Sequence, residues 1–371
     1  MYYLKRFLAL CLLFYLLLSL SACGEKKAPA VSSDPSSRPE SAEPAPPGSS
    51  GPSKPVTEDA LNTIPLRAAA LKGPTAMGLV QLIDRFGIVE TPQDEPLTQE
   101  RSENGGSYVF TLAGAADQIS PLLIEGELDI ACVPANLAAT LYHKTGGQIV
   151  TLGINTLGVI YIVEKGEQVH SIADLKGKTI VAAGKGQTPE YGLRYLLEQN
   201  DMDPDEDVNI EWKSEHTECV AALAAGTASI AMIPQPFVTV AQNKIDGLRT
   251  ALDLTAEWDA LDNRSAMITG VVVARREIAE NHPEVVDAFL ADYAASVAWV
   301  NANTANAASL IGKYGIVEAV VAEKALPYCN IVCITGEEMK EKLSGYLSAL
   351  AQQAPEAVGG QLPGDDFYYG T

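Results

Sequence analysis

The chain has 371 residues, of which 47% are apolar and 20% charged, an ordinary globular composition with length for one large or two medium domains. Its formal charge of −21 excludes a nucleic-acid partner, since phosphates would be repelled by such a surface.

The first element is an export signal. In "MYYLKRFLALCLLFYLLLSLSAC", Lys5 and Arg6 precede an apolar run that ends in small residues, the charge-then-apolar order of secretory leaders. The apolar run is shorter than the ~20 residues of a spanning helix. Its end, Leu20-Ser21-Ala22-Cys23, resembles the lipobox of bacterial lipoproteins. That resemblance implies a signal peptide over 1–22 and a lipidated Cys23. Residues 23–62 then hold Pro, Ser, Gly, Ala and Glu with almost no large apolar side chain, and are expected to form a disordered tether.

From Ile64 onward the pattern alternates. "IPLRAAAL" reads as a strand, and Leu79, Val80, Leu82, Ile83 and Phe86 recur at helical spacing. "SYVFTLA", "LDIACVP", "KTIVAAG", "VNIEW" and "SIAMIP" read as further strands, with "ADQISPLLIEGE", "ANLAATLYHKTG", "PEYGLRYLLEQN", "ECVAALAAG" and "QPFVTVAQN" as the helices between them. This alternation predicts α/β architecture with helices on both sheet faces. After His282 the pattern turns helical.

The chain also echoes itself. "GELDIACVPANL" from Gly126 overlays "GTASIAMIPQPF" from Gly226, with Ile130/Ile230, Ala131/Ala231 and Pro134/Pro234 coinciding. Upstream, "KGPTAMGL" from Lys72 echoes "KGQTPEYGL" from Lys185, aligning Gly73 with Gly186 and Thr75 with Thr188. Two echoes in the same order predict two similar lobes, the first carrying an insertion in "IVETPQDEPLTQERSENGG".

Together "LKGPTAMG", "GELDIACVPANLAATLY", "NTLGVIYIV", "ADLKGKTI", "GKGQTPEYGLRYLL" and "MIPQPFVTVA" resemble the substrate-binding components of ABC importers. The nearest branch serves nitrate, alkanesulfonates, taurine and thiamine pyrimidine precursors, and the likeness covers roughly residues 64–350. The resemblance implies a bilobed type II periplasmic-binding-protein fold, two α/β lobes joined by two crossover strands near "NTLGVIYIV" and "SAMITGVVVA". Residues 64–157 plus 270–371 would form one lobe and 158–269 the other. It also implies capture of a small solute, docking on ABC permease subunits, membrane attachment through the lipid, and a monomer without cofactor or metal. A sensory receptor closing onto a membrane kinase is the alternative within the same fold.

In open α/β sheets, ligands sit beyond the carboxyl ends of the strands, where helix N-termini present free N–H groups. The expected site is therefore Lys72, Gly73, Pro74, Thr75 and Ala76 from one lobe and Gly186, Gln187 and Thr188 from the other. Asn136 and Gln235 at the proline corners, with Asn155 and Thr156 at the first crossover, complete the set. Thr75 and Thr188 could instead serve as helix caps. With no arginine in either corner, a charged oxyanion and a neutral or zwitterionic heterocycle both remain open.

Catalytic signatures are missing. No Gly-x-Ser-x-Gly, His-Glu-x-x-His or Gly-x-x-x-x-Gly-Lys-Ser/Thr is present, and Lys72 lies on the wrong side of its glycine for a phosphate loop. The thiamine-pyrimidine synthases resemble this family but carry a Cys-rich iron-binding stretch that this exported chain lacks. His143, His170, His216 and His282 read as surface groups, and Tyr161, Phe237 and Trp258 as core, with stacking on a ligand ring the alternative. Cys132, Cys219, Cys329 and Cys333 read as buried free thiols, with a Cys329–Cys333 disulfide the alternative in an exported protein.

Overall fold

The structure is a computed structural model and describes residues 65–98 and 100–371. The expected signal peptide, Cys23 and the tether to residue 62 lie outside the described residues. Among the described residues, eleven strands run in chain order: β1 (Leu66–Leu71), β2 (Tyr108–Ala113), β3 (Ile130–Pro134), β4 (Ile149–Leu157), β5 (Ile160–Glu164), β6 (Thr179–Ala183), β7 (Asn209–Lys213), β8 (Ile230–Pro234), β9 (Arg249–Asp253), β10 (Ile268–Arg275) and β11 (Ile331–Ile334). They form two sheets, ordered β11-β4-β10-β3-β1-β2 and β7-β6-β8-β5-β9. The fold is bilobed α/β, one sheet to each lobe.

The two sheets repeat one plan. β1, β2 and β3 are mutually parallel, and β10 runs antiparallel beside β3. Likewise β6 pairs in parallel with β7 and β8, and β5 runs antiparallel beside β8. The echo in the sequence is thus a geometric one. Gly126 and Gly226 both end a helix in the left-handed conformation, φ 80° and 72°, the backbone that favours glycine at a helix C-terminus. Each is followed by a strand whose first four residues are fully covered, IACV and IAMI, the near-continuous apolar run of a strand covered on both faces.

The chain leaves the first sheet at Leu157 and enters the second at Ile160. It returns after the helix Leu254–Asp259 into β10, which pairs antiparallel with β4 from Ile149↔Arg275 to Leu157↔Ile268. Apolar packing continues from one lobe to the other: Trp258 is fully buried, 4.6 Å from the Tyr195 ring and 5.4 Å from that of Tyr346, and its indole donates to Ser265 Oγ at 2.8 Å.

One local expectation needs correction. The pattern after His282 is not wholly helical, because "IVCI" forms β11 at the edge of the first sheet, pairing Ile331↔Thr156 and Ile334↔Ile154. Four β-branched and apolar residues are too few for periodicity to reveal, and the pairing with β4 decides their conformation. The helical spacing from Leu79 to Phe86 is the helix Val80–Phe86, and a separate short helix, Pro74–Met77, precedes it. Between the two, the backbone of Gly78 lies against the Tyr293 ring, and its carbonyl accepts a 2.6 Å bond from Ser296 Oγ, both on the long helix Pro283–Ala302. The insertion after β1 is pinned to the same helix through Asp292, which accepts from Asn104 Nδ2 at 2.8 Å and from the Tyr108 hydroxyl.

All four cysteines among the described residues are free thiols. Burial pushes Cys132 and Cys329 up to about 12, and Cys219 and Cys333 to about 11, so they are protonated and unreactive at neutral pH.

Candidate ligand-binding cleft

The parallel strands of both sheets end toward one cleft of about 700 Å³. After β1 comes the Lys72–Thr75 corner, and after β3 come Pro134, Asn136 and Leu137. The second lobe presents Gln187, Thr188 and Pro189 after β6, then Pro234 through Phe237 after β8. Val159, Ile160 and Thr269 contribute from the crossovers, and Ile316 and Val317 from the loop after the helix Thr304–Lys313.

Of the twelve residues expected from the sequence, the cleft brings together Lys72, Gly73, Pro74, Thr75, Asn136, Gln187, Thr188 and Gln235. Ala76 does not line it, being fully buried beneath the corner. Asn155 and Thr156 are also fully covered, inside β4. Asn155 instead supports the corner, its Nδ2 donating to the Thr75 carbonyl at 3.3 Å, while Asn155 Oδ1 and Thr156 Oγ1 have no hydrogen-bond partner among the described residues. Gly186 lies in an exposed turn outside the lining, and its N–H donates to Glu190 Oε2 at 2.5 Å. Thr75 and Thr188 face this one cleft from the two lobes, and neither caps its helix: the N-cap positions are Gly73 and Gln187.

The backbone of the first corner explains its glycine. Gly73 has φ 135° and ψ −161°, a region essentially closed to side chains, and no atom lies within 4 Å of where a Cβ would stand. The Thr75 hydroxyl is engaged, donating to the Leu71 carbonyl at 3.0 Å.

The amides divide clearly. Gln235 is 4% exposed, its Oε1 accepts from Thr239 Oγ1 at 2.9 Å, and its backbone N–H donates to the Val159 carbonyl at 2.9 Å. The amide is thereby oriented, with Nε2 left as a donor that has no partner among the described residues. The half-buried Asn136 side chain likewise makes no hydrogen bond among them. Lys72 is the one charged residue of the lining, whereas Lys185 is exposed and outside it.

Much of the lining was not expected from the sequence. Phe237, read as core, stands in the wall, with Val240 and Pro236 beside it. His216, read as a surface group, is half-buried with its ring 5.2 Å from that of Phe237, and burial holds its pKa below the ordinary value. The signal for this wall was present in "IPQPF", where prolines flank an aromatic residue. Ile316 and Val317 carried no local signal, since only folding brings that loop to the cleft.

A family model described as the periplasmic substrate-binding protein of phosphonate ABC transporters matches residues 104–324. No curated protein matches the sequence. Among solved structures, an ABC transporter protein from Parabacteroides distasonis is similar at 23% identity and TM-score 0.67, over 82% of this chain and 98% of that one. The periplasmic aliphatic sulphonate binding protein SsuA from Escherichia coli aligns at 19% identity and TM-score 0.60, covering 81% of this chain and 94% of its own. The ligand-binding component of an ABC-type import system from Staphylococcus aureus aligns at 17% identity and TM-score 0.56, over 82% and 95%.

Proposed function

Because the chain belongs to the periplasmic substrate-binding family of phosphonate ABC transporters, we propose that it is a membrane-anchored receptor that captures a small polar or anionic solute between its lobes and hands it to ABC permease subunits. The family is one of substrate-binding components rather than enzymes. The observation that carries the reading is the single cleft lined by equivalent corners of both sheets, at the carboxyl ends of parallel strands. Residues 64–157 plus 270–371 act as one closing unit and 158–269 as the other. Closure is a hinge motion at the two passages between sheets, driven by contacts that only the closed state makes to both lobes. Lipidation of Cys23 and the tether of residues 23–62 keep this monomeric receptor near its permease.

The test is a thermal-shift screen of phosphonates, sulfonates, carboxylates, nitrate and heterocycles. A ligand of the native state raises the midpoint by mass action, and Asn136→Leu and Gln235→Leu are expected to abolish the rise. A rise of unchanged size in both variants would place binding elsewhere. Cys23→Ala is expected to move the protein from the membrane to the soluble fraction, and retention would refute the lipid anchor.

A further inference from the structure

We propose, building on the receptor reading, that the cleft takes a solute with an apolar body and a single negative charge, and discriminates against dianions such as phosphonates. The charge inventory comes first. Lys72 is the only charged residue of the lining; it forms no ion pair among the described residues, and its ammonium lies beside Gly315 at the cleft edge. Lys72 is exposed, and when the lobes close over a solute it is one cation to balance one anion. A second negative charge would stay uncompensated in a chain of net charge −21, and a desolvated, unpaired charge is costly.

The second lobe supplies no substitute. The helix Thr188–Glu198 begins at the cleft, and the Gly186 N–H before it is already bonded to Glu190, so a carboxylate of the protein itself occupies its positive end. The first corner opens only the four-residue helix Pro74–Met77, too short to hold an anion.

Most of the rest of the wall is apolar. Five prolines line the cleft, with Phe237, Leu137 and Val240 among their neighbours, and proline has no N–H to offer an oxyanion. The polar groups are few, chiefly the Gln235 amide, held by Thr239 so that Nε2 is left as a donor, and the Asn136 amide, which makes no hydrogen bond among the described residues. About 700 Å³ is room for an organic molecule rather than an inorganic ion.

The experiment is calorimetric titration with three series of equal chain length: straight-chain carboxylates from butanoate to decanoate, the corresponding alkylphosphonates at pH 9, where they are dianions, and the primary amides. Carboxylate affinity is expected to rise about fourfold per methylene until the cleft is filled, and each phosphonate to bind more weakly than its carboxylate. Lys72→Met is expected to lower carboxylate affinity about fivefold and leave amide affinity unchanged. Phosphonates binding as tightly as carboxylates, with Asn136→Leu abolishing both, would overturn the proposed class and leave the receptor reading intact. Binding of none of the three series would overturn the proposed class, and the receptor reading would fall only if the wider thermal-shift screen also gave no rise.

Discussion

Gly270 sits where the sheet meets the candidate site, and replacing it with alanine tests how tightly the two are joined. The residue lies in β10, paired with Pro134 of β3. A Cβ built there would stand 2.5 Å from Asn155 Oδ1 and 2.5 Å from Thr75 Cγ2. Thr75 is 7% exposed and Asn155 fully buried, so neither can swing into solvent. Overpacking of this kind costs about 1–3 kcal/mol, offset by about 0.5 kcal/mol from removing a strand glycine. The net expectation is about 1.5 kcal/mol, or about 2 °C in the melting midpoint of a folded part this large. Because Asn155 Nδ2 also holds the Thr75 carbonyl, the displacement moves the Lys72–Thr75 corner, and affinity for any cleft ligand falls with stability. Calorimetry and ligand titration on Gly270→Ala read both quantities. Gly73→Ala is the companion: its Cβ meets nothing within 4 Å, and its cost of about 1–3 kcal/mol comes from the backbone alone. A Gly270→Ala protein with unchanged midpoint and unchanged affinity would refute the coupling of strand packing to the corner.

Three further outcomes follow from groups around the lobes. Asp129, 2% exposed, accepts from Arg67 N at 3.0 Å, Nε at 3.0 Å and Nη2 at 2.7 Å, and from Arg275 Nη2 at 3.3 Å. Asp129→Asn is expected to cost about 2–3 kcal/mol, below the range for a fully buried pair because both arginines keep some solvent, and an unchanged urea midpoint would contradict it. Glu190→Ala frees the Gly186 N–H; it is expected to cost about 0.5 kcal/mol of stability and to raise the affinity of anionic ligands about twofold, which titration of the variant checks. His216 is held below its ordinary 6.5 by burial, so the unfolded chain binds that proton more readily than the folded one. Its contribution is neutral above pH 6.5, and stability is lost as pH falls through 6.5 and below. His216→Phe should therefore show a shallower decline of melting midpoint between pH 6.5 and 5, and parallel curves would refute the assignment.

The internal echo was legible because it is written in residues with special backbones. Gly126 and Gly226 adopt left-handed φ, and Pro134 and Pro234 end their strands, so aligned letters meant aligned geometry. The same logic located Gly73, whose conformation almost no other residue adopts. Less legible was the direction of each polar group. Asn155 and Gly186 look like cleft-lining residues by type and position, yet both lie outside the lining, where Asn155 bonds Thr75 and Gly186 bonds Glu190; Thr75 does line the cleft, but its hydroxyl bonds Leu71. Each satisfies a neighbour within the protein, and nothing in the spacing distinguishes that use from ligand binding.

What the amino-acid sequence determined by itself was the α/β alternation, the duplicated plan, and the strand-end corners that line the cleft. Those properties are local: they follow from apolar periodicity, glycine φ and proline's missing donor, each encoded within a few residues. The tertiary structure alone decided which corners share one cleft, that Phe237, Ile316 and Val317 wall it, that β11 joins the first sheet, and that Lys72 is its only charge. Those properties depend on which distant segments pack together, and burial and hydrogen-bond competition settle them only once the chain has folded.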